Sequence, residues 1–295
     1  MFRKSCSLVI CFVLVLGSAV YAQGDFSEVK ITTTHVAGNV YMLEGAGGNI
    51  GVSAGDDGLL MIDDQFAPLA EKIQAALRKI NSGDLRFLLN THWHGDHTGG
   101  NEFFGKSATI IAHDNVRERL TTEQTQFGNL IPPKEKEGWP VITFESSVSI
   151  HFNGEEIKVL HKPNAHTDGD AAVFFTGSNV VHTGDLLFSG MFPFVDLDHG
   201  GDVMNLIEVV EQLLVEIPED ARIIPGHGPL SGISELKAYH RMLVETTGII
   251  RAMMDAGKSL EDIKAAGLGS EWESWAWDFI SEEKWVEIVH TSLSR

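Results

Sequence analysis

Short apolar runs recur along the chain, and each is bounded by glycine, asparagine, aspartate or other turn-forming residues. Runs of this length between turn signals are typical of buried β-strands. The pattern predicts strands at residues 40–43, 59–62, 87–89, 109–112, 148–152, 156–160, 171–175, 179–182 and 222–224.

Other stretches repeat their apolar positions every three or four residues, which is the period of a helix. Residues 68–80 place Leu69, Ile73 and Leu77 on one face and charged residues on the other. Residues 121–140 lack either period and contain several prolines, so they are interpreted as a surface segment that could border a functional site. The predicted helices cover residues 68–80, 116–120, 203–217 and 233–257.

Strands alternate with helices in two successive halves of the chain. This order favours an α/β fold, an αββα sandwich of two mixed β-sheets flanked by helices. No internal repeat or linker indicates a second folded domain, so residues 23–295 are expected to form one domain. Its C-terminal helical tail, which begins near Leu260 and is rich in tryptophan, is expected to fold back on the body.

The N-terminus differs in character from the rest. Arg3 and Lys4 precede the apolar run at residues 8–16, and small residues lead to an expected cleavage site before Gln23. This plan predicts a secretory signal peptide at residues 1–22 and a periplasmic or secreted product. An uncleaved anchor is the alternative, but the run is short for a span of about 20 residues. No stable membrane anchor is expected after cleavage.

Charge and cysteine usage narrow the function further. Both cysteines, Cys6 and Cys11, lie in the predicted signal peptide, so the exported chain would have neither disulfides nor thiolate metal ligands. The formal net charge is −19, and loss of Arg3 and Lys4 would make it −19 − 2 = −21. A chain this acidic is a poor nucleic-acid binder, because phosphate contacts require lysine and arginine. A small-molecule substrate is expected, while the oligomeric state stays open.

Residues 90–101 carry the strongest chemical signal. His92 and His94 lie two positions apart, so both imidazoles of an extended backbone point to one side and can share a metal. Asp96 and His97 follow a glycine that lets the chain turn, so they can serve a second metal nearby. Imidazole nitrogen and carboxylate oxygen suit zinc, and suit iron or manganese less well.

Three further ligand-type residues, His166, Asp185 and His227, occur downstream in equally unusual turns. Together with the His-x-His-x-Asp-His stretch after a strand, their order and approximate spacing resemble the metallo-β-lactamase superfamily over about residues 31–230. A single such turn would be weak evidence, whereas four in the same order are specific.

The resemblance implies two zinc ions per chain and a metal-bound hydroxide that attacks a carbonyl group. It also implies that Asp63 orients a metal-ligating histidine, and it assigns the catalytic role to Asp96 and Asp185. The implied ligands are His92, His94 and His166 for the first zinc, Asp96, His97 and His227 for the second, and Asp185 as a bridge between them.

Asp185 separates this chain from true β-lactamases of the superfamily, which generally have cysteine or serine at that turn. An aspartate there is similar to glyoxalase II, lactonases and alkylsulfatases. Glyoxalase II would need a basic glutathione pocket in its C-terminal helices, and residues 233–295 show no obvious one. His94 stands where the flavodiiron pattern has glutamate, so hydrolysis is favoured over redox chemistry.

The predicted function is a secreted dizinc hydrolase that cleaves an amide, ester, lactone or thioester, with β-lactams among the candidate substrates. A non-catalytic periplasmic zinc-binding or partner protein is the alternative.

Several neighbours of the site carry weaker expectations. His182 is a candidate partner of a ligand, His199 is a candidate substrate contact, and Asp64 is a candidate solvated neighbour of Asp63. Trp93 is expected to pack beneath the ligands. A candidate apolar wall above the metals consists of Phe188, Met191, Phe192 and Phe194.

Overall fold

The computed structural model describes residues 25–295, and the predicted signal peptide lies outside the described residues. Most predicted strands are present within one or two residues of their expected bounds. The strands are β1 (Thr32–Ala37), β2 (Val40–Glu44), β3 (Ile50–Gly55), β4 (Gly58–Ile62), β5 (Leu85–Leu89), β6 (Thr109–His113), β7 (Gln124–Gln126), β8 (Asn129–Ile131), β9 (Ile142–Phe144), β10 (Ser147–Phe152), β11 (Glu155–His161), β12 (Ala171–Phe175), β13 (Val180–Phe188) and β14 (Arg222–His227).

The helices lie between and after these strands, and the longest of them follow β13 and β14. The α-helices are α1 (Ala70–Ile80), α2 (Gly95–Thr98), α3 (Asn101–Phe104), α4 (Asp114–Thr121), α5 (Val203–Glu216), α6 (Ile233–Asp255), α7 (Leu260–Ala266) and α8 (Glu282–Leu293). Short 3₁₀ turns occur at Ala67–Leu69, Lys136–Gly138, Leu197–His199 and Glu273–Trp275. In the part of the chain that the structure describes, no helix has the length and apolarity needed to cross a bilayer.

Two mixed sheets form the centre of the fold. The first has the order β1-β2-β3-β4-β5-β6-β9, antiparallel as far as β4 and parallel from there. The second has the order β10-β11-β12-β13-β14, in which only the last pair is parallel. Each parallel segment requires a helical crossover, which places helices on the outer faces of the sheets.

Three apolar layers hold the sandwich together. Residues such as Leu60 and Ile111 of the first sheet pack against Val159 and Val173 of the second, and all four are buried. Helix α1 covers the outer face of the first sheet, while α5, α6 and α8 cover the second. The predicted αββα sandwich is therefore confirmed.

The C-terminal tail folds back on the body, as the sequence predicts. Trp285 is fully buried, its indole Nε1 donates to Thr246 Oγ1 at 2.9 Å, and its ring stacks on Phe192 with centroids 5.9 Å apart. Phe192 is thus a core residue, and its expected place in an apolar wall above the site is wrong. Burial of both rings fixes the tail against the second sheet.

Residues 121–140 are not wholly irregular. They contain a β7–β8 hairpin whose two-residue turn, Phe127 and Gly128, has φ values of +51° and +74°. Left-handed backbone at both turn positions suits the twist of a tight hairpin. The strands are only three residues long, which is too short for a readable alternation of apolar and polar positions.

Candidate metal centre

The seven predicted ligands converge at one edge of the sandwich. His92 and His94 follow β5, while Asp96 and His97 lie in the short helix α2. The other three come from the second sheet, one from the loop between β11 and β12 and two from the adjacent strands β13 and β14. The structure gathers them into two groups, of which the first contains His92, His94, His166 and Asp185 and the second contains Asp96, His97 and His227.

One detail of the placement differs from expectation. Asp185 lies inside β13 and His227 is the last residue of β14, so neither occupies a turn after its strand. The register of the β13–β14 pair shifts around Gly184, and pairing resumes as far as Phe188 and His227. The irregular pairing continues both strands through the site and aims Asp185 towards the first sheet.

The imidazole nitrogens of the first group lie very close together. His94 Nδ1 is 3.1 Å from His92 Nε2 and 2.9 Å from His166 Nε2. All three rings are buried, so bulk water does not surround these nitrogens. Such contacts are favourable only if a proton or a cation lies between the nitrogens.

The hydrogen bonds of the other nitrogen in each ring decide whether a proton or a cation lies between the facing nitrogens. His94 Nε2 donates to Asp196 Oδ2 at 2.7 Å, and His166 Nδ1 donates to the Phe194 carbonyl at 2.8 Å. In the neutral rings the protons are then on the outer nitrogens, and two lone pairs face each other in the site. The donor set therefore fits a cation.

His92 is held in the same way. Its Nδ1 is 3.1 Å from Thr91 Oγ1, whose hydroxyl donates to Asp63 Oδ2 at 2.7 Å. The hydroxyl can accept from Nδ1, which leaves the lone pair of His92 on Nε2 and directed into the site. Three imidazole nitrogens facing one point form the ligand arrangement that catalytic zinc sites use.

The second group combines two imidazoles with a carboxylate. Asp96 Oδ2 lies 3.2 Å from His227 Nε2 and 3.6 Å from His97 Nε2. His97 Nδ1 lies 2.7 Å from Asp63 Oδ2, which leaves Nε2 to face the site. Asp63 thus supports a histidine of each group, as expected for a residue that orients ligands.

Asp185 lies between the two groups. Its Oδ2 is 3.3 Å from His166 Nε2 and 3.7 Å from His92 Nε2, whereas its Oδ1 is 3.0 Å from His97 Nε2 and 3.5 Å from His227 Nε2. Oδ1 is buried and makes no hydrogen bond to any described residue. One oxygen therefore faces each group, which fits a bridging carboxylate.

The electrostatics differ between the groups when no metal is bound. Burial lowers the pKa of His166 to about 4, so the ring is already neutral at neutral pH, with its one proton on Nδ1 and with Nε2 unprotonated. Burial would also lower the pKa of His227, but Asp185 and Asp96 outweigh it and raise that pKa to about 9. Burial would raise the pKa of Asp96, but His97 and His227 lower it to about 2. The second group is a set of ion pairs in which a cation can replace the proton.

Two supporting carboxylates were not identified from the sequence. Asp196 is buried and accepts from both His94 and His199 Nδ1, the latter at 2.8 Å. Asp170 Oδ2 accepts from the backbone amides of His166 at 2.7 Å and Thr167 at 2.8 Å. Asp170 could have been suspected, since it closes the turn that contains His166. No sequence feature around Asp196 indicates that it contacts a candidate ligand.

The other candidates have definite places. Asp64 is fully buried and accepts from the Gly100 amide at 2.8 Å, so the expectation of a solvated residue is wrong. His199 is buried against Asp196 and the Trp93 ring, whose centroid is 4.6 Å away, so its role is support. His182 bonds to the Asn49 carbonyl at 3.0 Å and not to a predicted ligand.

A cavity of about 600 Å³ opens onto both groups. His94, Asp96, Asp185 and His227 form its floor, and aromatic rings form much of its wall. Two of the four expected wall residues, Phe188 and Phe194, are in this lining. Met191 packs instead against the buried core around α5 and α6.

Sequence comparison places the chain among metallohydrolases. The Metallo-beta-lactamase superfamily profile matches residues 33–227. A hydroxyacylglutathione hydrolase of Nitrosococcus oceani is 30% identical over 165 residues, which are 54% of this chain and 55% of that protein. A hydroxyacylglutathione hydrolase of Haemophilus influenzae is 28% identical over 170 residues, 54% of this chain and 76% of that protein. The chain thus spans about half the length of the Nitrosococcus relative.

Solved structures support the fold. A sec-alkylsulfatase from Pseudomonas sp. superposes with a TM-score of 0.68 at 15% identity, over 88% of this chain and 50% of that one. A metallo-beta-lactamase from Pontibacter korlensis superposes with a TM-score of 0.61 at 16% identity, over 73% of this chain and 99% of that one. The profile match, the sandwich fold and the His/Asp groups together show that the chain belongs to the metallo-beta-lactamase superfamily of metallohydrolases.

Proposed function

We propose that the chain is an exported dizinc hydrolase that cleaves an ester, thioester, lactone or amide bond in a small molecule. The observation that carries the proposal is the convergence of three imidazole lone pairs beside a carboxylate whose two oxygens face different ligand groups. His92, His94 and His166 would hold one zinc, Asp96, His97 and His227 would hold the other, and Asp185 would contact both.

Different residues of the chain have different roles in the proposed hydrolysis. Zinc bound in such a site supplies a Lewis acid for a carbonyl oxygen and lowers the pKa of bound water. Asp196, Asp63 and the Phe194 carbonyl hold the histidines in the tautomers that present lone pairs to the site. Asp96 faces the cavity as a carboxylate and can accept a hydrogen bond from water there, which would orient that water.

The cavity limits access to the reacting bond. Its floor holds both ligand groups, so a carbonyl placed there lies next to them, and a substrate packed against the rings above would displace water from the floor. Exclusion of water strengthens every charge interaction with the reacting atoms.

The direct test is a hydrolysis panel on the zinc-loaded protein that includes nitrocefin, acyl lactones, thioesters and aryl esters. At least one class should turn over, and Asp185→Asn should abolish most of that activity. Two bound zinc ions with no turnover of any substrate would contradict the proposal and favour the non-catalytic zinc-binding or partner protein.

Export is a separate part of the proposal, supported by the charged, apolar and small-residue order of residues 1–22. Expression of the full chain in a bacterial host, followed by intact-mass measurement of the periplasmic fraction, should give a product that begins at Gln23. A product that retains Met1 in the membrane fraction would contradict cleavage and indicate an anchor.

A further inference from the structure

The wall of the cavity is built from aromatic rings contributed by parts of the chain that are distant in sequence. The rings belong to the segment after β4, the β7–β8 hairpin, the end of β13 with the loop that follows it, and the C-terminal tail. They are Phe66, Phe127, Phe188, Phe194, Trp277 and Phe279.

Five of these rings, all except Phe66, pack against one another and form a continuous surface. Phe127 at the hairpin tip lies 5.2 Å from Phe194 and 5.9 Å from Phe279, between ring centroids. Phe279 lies 5.6 Å from Trp277, and Trp277 lies 5.9 Å from the His227 imidazole. The hairpin and the tail are therefore linked by aromatic contacts that reach down to the second ligand group.

Two of the rings are unusually exposed for their type. Phe127 is 60% exposed and Phe279 is 50% exposed, and both stand at the mouth of the cavity. Grouped apolar side chains on a surface beside a functional site mark a binding surface, because a ligand that covers them removes apolar area from water.

Charge in the lining is confined to the floor. Among the described residues that line the cavity none is lysine or arginine, and the only polar side chains above the floor are Gln126 and Asn129. A carboxylate brought into such an apolar space would lose its hydration without gaining an ion pair. The formal net charge of −19 adds repulsion at long range.

We infer that the site selects substrates with an extended apolar acyl group that carries no negative charge, and that this group occupies the aromatic wall while the bond to be cleaved lies over the His/Asp floor. This inference rests on the proposed hydrolase function and specifies its substrate class. In the reaction, the oxygen of water bonds to the acyl carbon, the bond from that carbon to the leaving oxygen or sulfur breaks, and one proton passes to the leaving group.

The first test uses two aryl esters that share the 4-nitrophenol leaving group and a six-carbon acyl chain, which ends either in a methyl group or in a carboxylate. The zinc-loaded protein should favour the hexanoate over the carboxylate-ended ester in kcat/KM by at least about tenfold, the cost of a poorly solvated charge. Shortening the neutral chain should lower kcat/KM by up to about fourfold per methylene.

Variants locate the effect in the wall. Phe279→Ala should reduce the preference for longer neutral chains, and Phe279→Lys should raise the relative kcat/KM of the carboxylate-ended ester. Leu130→Ala is the control for loss of an exposed apolar side chain near the cavity. Leu130 is 55% exposed and lies in the β7–β8 hairpin between the lining residues Asn129 and Ile131, but it does not itself line the cavity. It should leave the ester profile unchanged.

A binding measurement separates this inference from catalysis. The ketone analogues of the neutral and carboxylate-ended esters cannot be hydrolysed, and their nitrophenyl group quenches tryptophan fluorescence. Metal-free protein, checked for folding by circular dichroism, should bind the neutral ketone more tightly, and Trp277→Phe should reduce the quenching. Zinc-loaded protein serves as the second sample if the metal-free form unfolds.

The outcomes separate the two proposals. Preferential binding of the neutral ketone without hydrolysis of any ester would support the pocket and contradict the hydrolase. Hydrolysis with equal or greater preference for the carboxylate-ended ester would support the hydrolase and overturn the inference.

Discussion

Asp196 accepts the Nε2 proton of His94 at 2.7 Å, although the two residues are 102 positions apart in the chain. This contact fixes the tautomer of His94 and directs its Nδ1 lone pair towards His92 and His166. The same carboxylate also accepts from His199, so it is itself held in place. Asp196 is therefore a positioning residue for the first ligand group.

The first prediction concerns this contact. Asp196→Asn replaces a charged acceptor by a weaker neutral one, so zinc affinity measured against a competing chelator should fall by about 10- to 100-fold. Asp198→Asn is the control, because its side chain is 85% exposed and, among residues 25–295, pairs only with Arg295 at the surface. If both variants bind zinc like the parent protein, the positioning role is wrong.

The second prediction concerns the bridge. Asp185→Asn removes the one carboxylate that contacts both groups, and the second group has two histidines where the first has three. Native mass spectrometry across a zinc titration should show that the second ion binds only at a much higher zinc concentration than the first. His94→Ala, which changes only the first group, should not reproduce this order. Equal loss of both ions in Asp185→Asn would argue against the division into two groups.

The third prediction concerns the tail. Trp285→Ala opens a cavity in the layer between α6 and α8, so it should lower the free energy of unfolding by about 3–5 kcal/mol. Urea denaturation measures the change, and Trp285→Phe, which keeps most of the apolar volume, should cost less. A loss below about 1 kcal/mol in the alanine variant would mean that the tail does not stabilise the sandwich.

The fourth prediction concerns the stacked imidazoles of His113 and His161, whose centroids are 3.7 Å apart. Burial lowers the pKa of His161 below 6.5, a hydrogen bond to the Asp170 carbonyl partly opposes this, and His113 lowers it further. The folded protein therefore takes up this proton less readily than the unfolded chain. The contribution of neutral His161 to stability is complete above pH 6.5, the ordinary pKa of histidine, and is lost as the pH falls below that value.

His161→Phe keeps the stacked ring but cannot be protonated, so it should lose less stability than the parent protein between about pH 8 and pH 5.5. The same substitution at His151, which is exposed and lies outside the stack, is the control. Parallel curves of stability against pH for the parent protein and His161→Phe would show that protonation of the stacked rings does not change stability.

The fold and the convergence of the seven candidate ligands were largely predictable from the sequence, for local reasons. Buried strands are apolar runs bounded by turn residues, and the His92–His97 stretch has its ligand spacing built into consecutive positions. Asp196 could not be recognised, because it comes next to His94 only through the packing of one sheet against the other. Phe127 and Phe279 likewise meet at 5.9 Å through the hairpin and the tail, and neither segment has a periodic pattern.

The most direct test of the two-metal site is the zinc stoichiometry of the intact, folded protein. The three facing lone pairs of His92, His94 and His166, and the separate orientation of the two Asp185 oxygens, predict two zinc ions per chain at saturation. Native mass spectrometry across a zinc titration should show successive one-ion and two-ion species. A plateau at one ion, or no bound zinc, would contradict the two-metal site.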